Sequence, residues 1–284
     1  MNDLLVHPAT QRQLQAYMKQ PGQSITLVGP AGSGKRSLAL ELAAKLIGVP
    51  INKVLDQPYV RLINSVDGKA IGIESIRELE HFLSLKVPNP ASIKRIVLIE
   101  DAHLLTTEAQ NALLKTLEEP PIGTIFIMTS SQEQALLPTI RSRSPRLTVH
   151  RPSISQQSTH FGEKYDSAAV KQALLVSGGL PGLTAAILGE SEHPLLAATE
   201  KARQLLRQTS FERLAMVDVL AKDRALSLDV LFILQQMANV SLQSAQGKAA
   251  ARWRTVLSAS YEAQQLLLQS AQPKLTLTDL MLHL

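Results

Sequence analysis

Eight residues, Gly29-Pro30-Ala31-Gly32-Ser33-Gly34-Lys35-Arg36, have the types and spacing to hold a phosphate, apart from the last. They follow the apolar run Ile25-Thr26-Leu27-Val28 and lead into the helical pattern Leu38-Ala39-Leu40-Glu41-Leu42-Ala43. That strand, glycine loop and helix are the context a GxxxxGK[ST] match requires. Gly29, Gly32 and Gly34 let backbone N–H groups close around phosphate oxygens, and the helix N-terminus adds partial positive charge. Lys35 would reach the terminal phosphates. The next position normally carries a hydroxyl that holds Mg²⁺, and here it is Arg36. Ser37 comes one position late and, on a helix, points about 100° away.

A second chemistry-bearing stretch is Ile96-Val97-Leu98-Ile99-Glu100-Asp101, an apolar strand that ends in two acids. This is the form of a Walker B motif, expected on a strand beside the loop strand. Glu100 is then a candidate Mg²⁺ ligand and Asp101 a candidate for orienting an attacking water. The usual order is Asp then Glu, and here it is reversed. Alone, two acids at the end of a buried strand would mean only that the chain meets solvent there.

These residues need a scaffold, and the periodicity supplies one. Strand patterns fall at 25–28, 60–63, 95–99, 124–129 and 146–150, with helical patterns near 36–46, 73–85 and 107–119 between them. Alternation of this kind predicts an α/β domain with a parallel sheet covered on both faces. Thr107 and Gln110 read as a capping box, with Ala109, Ala112, Leu113, Thr116 and Leu117 as one stripe. Pro120-Pro121 ends that helix.

Beyond His150 the pattern changes. Ser153 to Thr159 reads as a polar linker. Short helical segments follow at 167–176 and 181–188, and no strand pattern remains from Pro194 onward. Trp253, Val256, Leu257, Ser260, Tyr261, Gln264, Leu267 and Leu268 fall on one face of a long helix. Leu277, Leu280, Met281 and Leu284 repeat the spacing.

The 284 residues suffice for two or three domains, and 45% hydrophobic with 19% charged residues is ordinary for a folded protein. Cysteine is absent, which excludes disulfides and thiolate zinc sites. A net charge of +5 permits contact with nucleic acid without establishing it. No signal-like N-terminus and no apolar run of membrane-spanning length is read, so the expectation is a cytoplasmic protein.

The run from Glu100 to Thr106 resembles the bacterial DNA polymerase III clamp-loader AAA+ subunits. So do Ala109 to Pro121 and Leu137-Pro138-Thr139-Ile140-Arg141-Ser142-Arg143-Ser144. The segments from Gly68 to Leu79 and from Gln269 to Leu277 are similar to the delta-prime branch in particular. The resemblance implies a RecA-like AAA+ P-loop domain at 1–151, a small helical lid at 152–192 and an all-α collar at 193–284. It also implies that Arg143 is an arginine finger reaching a neighbouring subunit's nucleotide, and that Thr129 and Ser130 occupy the sensor-1 region. Expected partners are delta and gamma/tau-type subunits in a hetero-oligomeric ring, the sliding clamp and, through the assembly, primed DNA. ATP or ADP, with Mg²⁺, would be the nucleotide, without zinc.

Departures from the family pattern bear on this chain's own nucleotide. Besides Arg36 and the Glu100-Asp101 reversal, Leu183 stands where a sensor-2 arginine is expected, and Ser144 replaces the usual cysteine. The leading expectation is a delta-prime-like subunit with weak or absent ATPase activity that completes a neighbour's site through Arg143. The alternatives are an ATP-hydrolysing motor subunit of the loader, or a stand-alone DNA-processing AAA+ ATPase. Whether Arg36 blocks the phosphate pocket or serves as a built-in counter-charge stays open at this level.

Overall fold

The computed structural model describes residues 4–65, 69–85, 95–189, 194–242, 245–269 and 271–284. Gly68 and Ser270 of the resembling segments, residues 1–3, and the expected lid–collar boundary at 192–193 lie outside the described residues. The chain divides into two compact units, residues 1–152 and 153–284.

In the first unit the order is α1 (Pro8–Lys19), β1 (Ser24–Val28), α2 (Lys35–Ile47), β2 (Val60–Ile63), α3 (Ile73–Ser84), β3 (Arg95–Ile99) and α4 (Thr107–Glu118). β4 (Thr124–Ser130), α5 (Pro138–Arg143) and β5 (Arg146–Thr148) complete it. The five strands form one parallel sheet in the order β2-β3-β4-β1-β5. Successive strand residues point to opposite faces. Ile96, Leu98, Ile125 and Ile127 therefore pack with Leu38 and Leu42 of α2, and Leu14 of α1. Val97, Ile99, Phe126 and Met128 pack on the other face with Ile76 and Leu79 of α3, and Leu113 and Leu117 of α4. With both faces covered, β1, β3 and β4 are buried along their whole length.

Three expectations are corrected here. β3 does not lie beside the loop strand β1, because β4 runs between them. Strand β5 ends at Thr148, although the Val149 N–H still donates to Val28 O at 2.8 Å. The cap of α4 is Thr106, whose hydroxyl accepts from Ala109 N at 3.2 Å. Thr107 is the first helical residue. Gln110 makes no capping box, for its side chain is buried and spent on other loops.

The second unit is entirely helical among its described residues: α6 (Ile154–Gly162), α7 (Ser167–Ser177), α8 (Pro181–Gly189), α9 (Pro194–Arg207), α10 (Ser210–Lys222), α11 (Arg224–Leu242), α12 (Gly247–Leu268) and α13 (Pro273–His283). The expected linker at 153–159 is helix instead. Ser153 caps α6 and Gln156 returns the bond, a reciprocal pair that offsets the polar composition. The stripe on α12 is also shifted: Val256, Ser260, Ala263 and Leu267 are buried, while Tyr261 and Leu268 face solvent. Leu183 packs against the core of this unit.

Among the described residues one helix, α11, is long and apolar enough to cross a membrane. Its Val230, Leu231, Ile233, Leu234 and Ala238 are buried in the helical core, which accounts for its composition.

Candidate functional site

Parallel strands bring all their C-terminal ends to one edge, where the loops of an α/β sheet meet ligands. The register pairs Val28 with Ser130 and Ile99 with Met128, so Gly29, Glu100 and Ser131 leave the sheet at one end. The edge therefore gathers the glycine loop, the acidic pair and the end of β4.

The loop has the backbone a phosphate cradle needs. Gly32 and Gly34 take φ of 76° and 84°, a region costly for any residue with a Cβ. A Cβ on Gly29 would lie 3.0 Å from Val149 O, so the strand beside it also requires glycine. Gly34 is the N-cap of α2 and, with no side chain, leaves the first turn uncapped. Those N–H groups are donors directed out of the helix end. The Ser33 hydroxyl is buried and has no hydrogen-bond partner.

Lys35 is only 6% exposed, yet it carries an ammonium. Its Nζ donates to Pro30 O at 2.9 Å and to Ser131 Oγ at 3.1 Å. Burial pulls its pKa below the usual 10.5, with the Asp101 carboxylate pulling it back up. Ser131 is thus the β4-end residue that meets the lysine, one position beyond the expected Thr129-Ser130 pair. Thr129 Oγ1 instead accepts the Asp101 N–H at 2.9 Å. Ser130 Oγ accepts from Gln132 N at 3.2 Å, closing the turn after the strand.

Across β4, Arg36 Nε meets Glu100 Oε1 at 3.1 Å. The Glu100 side chain is 13% exposed while that of Arg36 is 59% exposed, so the arginine closes over the acid from the solvent side. Burial raises the Glu100 pKa above 4.5, with Arg36 opposing and Asp101 reinforcing the rise. Asp101 holds the left-handed conformation, φ 47°, the only positive φ outside glycine among the described residues. Its Oδ1 lies 3.9 Å from His103 Nδ1.

These residues fit the phosphates of a nucleotide and do not fit its Mg²⁺. The uncapped helix end, the lysine and the orphaned Ser33 hydroxyl are donors for an anion. The metal corner has lost its hydroxyl, and its acid is already paired with a cation. No group of three or more His, Cys, Asp or Glu residues suited to a metal occurs among the described residues.

Arg143 sits apart from that constellation, on the last turn of α5. Its Nη2 is 2.5 Å from Glu118 Oε1, and Nη1 donates to Thr139 O at 3.1 Å. The backbone beneath it is anchored by three hydroxyl side chains, of which the sequence pattern singled out only Ser144. Ser24 Oγ donates to Arg143 O at 2.6 Å, and Ser144 Oγ shares a 2.7 Å bond with Thr26 Oγ1. Gln110 supplies a further brace. Its Nε2 donates to Leu105 O and Ala135 O, each at 3.1 Å, and its Oε1 accepts from Leu137 N at 2.8 Å.

Residues 7–153 match the family model described as DNA polymerase III, delta subunit. The chain is 29% identical over 210 residues to DNA polymerase III subunit delta′ of Pseudomonas aeruginosa, covering 66% of this chain and 63% of that protein. Against the subunit delta′ of Escherichia coli it is 33% identical over 132 residues, or 45% and 39% of the two chains. The chain thus spans less than two thirds of the length of these relatives. A DNA polymerase III gamma subunit-related protein of Thermotoga maritima shares the fold, with a TM-score of 0.61 at 20% identity over 96% of this chain and 97% of that one. A family match across the whole sheet-bearing unit, carrying the glycine loop, the acidic pair and the Ser-Arg-Ser segment, leads to one conclusion: the chain belongs to the DNA polymerase III delta-subunit family, in its delta-prime branch.

Proposed function

We propose that this chain is a clamp-loader subunit that helps place a sliding clamp on primed DNA. In this role it supplies Arg143 to a neighbouring subunit's nucleotide and hydrolyses little or no ATP itself. The observation that carries the reading is an asymmetry within one unit. The chain's own metal corner is closed by the Arg36–Glu100 pair, while Arg143 stands on a surface helix, held by an exposed carboxylate. A guanidinium delivered in trans stabilises charge on a transferring phosphate, which explains why an arginine can remain useful where the local site is not.

The reading extends to the second unit, with residues 152–192 as a lid and 193–284 as a collar that joins gamma/tau and delta-type subunits. The working compartment is the cytoplasm, where replication proteins of this family act. DNA contact, where this chain makes it, would come from basic side chains and backbone amides on phosphates rather than from base reading.

The test is reconstitution with gamma/tau and delta-type subunits, with ATP turnover measured for the wild type and for Arg143→Ala. Loss of turnover in an intact assembly supports the reading. Unchanged turnover removes the finger. Robust hydrolysis by the purified chain alone, abolished by Lys35→Ala, would establish the motor alternative in its place.

A further inference from the structure

We propose that the glycine loop is a metal-independent anion site, taking the phosphates of a nucleoside diphosphate, or pyrophosphate, without Mg²⁺. This rests on the reading of the chain's own site as non-hydrolytic and says what that site retains.

A carboxylate beside a bound phosphate repels it, and a divalent cation between the two removes the repulsion. Glu100 leaves the sheet at the same edge as the glycine loop, so an unpaired carboxylate there would oppose an anion. Arg36 supplies the missing positive charge permanently, at 3.1 Å from Glu100 Oε1. Glu100 is neutralised by the chain itself, and a metal finds neither the hydroxyl ligand nor an unpaired Glu100, while Asp101 lies 3.9 Å from His103 Nδ1. A divalent ion entering the same corner would also meet the guanidinium as a like charge.

What remains is a set of anion donors. The first turn of α2 is uncapped behind Gly34. Lys35 is held at the loop by Pro30 O and Ser131 Oγ. The independent observation is Ser33, 4% exposed, whose hydroxyl has no partner and lies 3.1 Å from the place a Cβ on Gly29 would take. A buried hydroxyl without a partner is costly, and a phosphate oxygen satisfies it. Lys35, free amides and a hydroxyl offer the phosphate hydrogen bonds and charge with no metal between.

The test is calorimetric titration of the purified chain with ADP and with pyrophosphate, in Mg²⁺ and in excess chelator. Saturable binding is expected in both media, with dissociation constants that agree within about twofold once referred to the uncomplexed anion, since Mg²⁺ then acts only by sequestering ligand in solution. Lys35→Ala is expected to weaken it at least about tenfold. Arg36→Thr restores the hydroxyl and frees Glu100, and Mg²⁺ should then tighten ADP by at least about tenfold. Thermal melts check that each variant is folded, and Arg36→Gln provides a second exposed substitution for the same comparison. Absence of saturable binding to the wild type overturns the proposal. So does Mg²⁺ tightening the wild type about tenfold, or a folded Arg36→Thr chain indifferent to metal. Failure of Arg143→Ala to affect an assembled loader would remove the finger and leave these titrations as they stand.

Discussion

Glu118 Oε1 and Arg143 Nη2 meet at 2.5 Å, linking the last turn of α4 to the last turn of α5. Both side chains are more than a third exposed, so the pair sits in solvent-screened surroundings and contributes little to stability.

Arg143→Ala is accordingly expected to change the unfolding free energy by no more than about 1 kcal/mol. In a reconstituted loader it should slow hydrolysis at the neighbouring site by about a thousandfold, the lower range for loss of an arginine finger. Glu118→Gln removes only the in-chain partner, so its turnover should be no lower than that of the wild type. Steady-state phosphate release from matched assemblies checks both outcomes.

Gln110 is a structural residue of a different order. Three hydrogen bonds end on one buried carboxamide, and truncation strands a carbonyl or an amide at each. Gln110→Ala is expected to cost about 2–3 kcal/mol, since buried polar groups would lose their partners. Chemical denaturation of the full chain reads this as a lower midpoint.

The position of the α4 cap makes a sharp comparison between adjacent threonines. Thr106→Ala removes the hydroxyl that accepts from Ala109 N and should cost about 1 kcal/mol. Thr107→Ala, at the first helical residue, should stay within about 0.5 kcal/mol of the wild type. Equal losses at the two positions would put the helix start in the wrong place.

His103 gives the site a pH dependence of definite sign. Burial pulls its pKa below 6.5, with Asp101 opposing and Lys35 assisting, and its Nδ1 accepts the Ser131 N–H at 3.4 Å. The unfolded chain binds the proton more tightly, so between the lowered folded value and 6.5 stability rises with pH. Acidification through that window should lower the melting temperature, and His103→Asn should flatten this part of the curve. Melting curves from pH 7 downward test it.

Much of the sheet was legible because buried parallel strands are nearly continuous apolar runs. Arg95–Ile99, buried throughout, matches its expected span, and so does the only partly buried edge strand Val60–Ile63. Helix caps are less legible, because neighbouring side chains of the same chemistry compete for one cap position. At 106–110 two adjacent threonines offered the same hydroxyl, and only the backbone turn decides between them. At 153–156 Ser and Gln were read as linker composition, although their spacing is that of a reciprocal cap. The α5 helix has six residues, too few to show a period. For the site, the loop glycines and Lys35 were legible because one short segment contains them. The partnership of Arg36 with Glu100 was not, since it depends on two strands that β4 separates. Ser131 was missed by one residue for a similar reason, because the turn after β4 decides which hydroxyl faces the lysine.

The Gln110 brace has a consequence for which segments share a support. One amide ties the helix that ends in Glu118 to the 135–137 turn that feeds α5. It also ties that helix to Leu105, four residues beyond Asp101. The turn after β3, the middle of α4 and the approach to α5 thus share one side chain as their common anchor. Removing that amide would loosen all three together, including the turn that leads into the helix carrying Arg143.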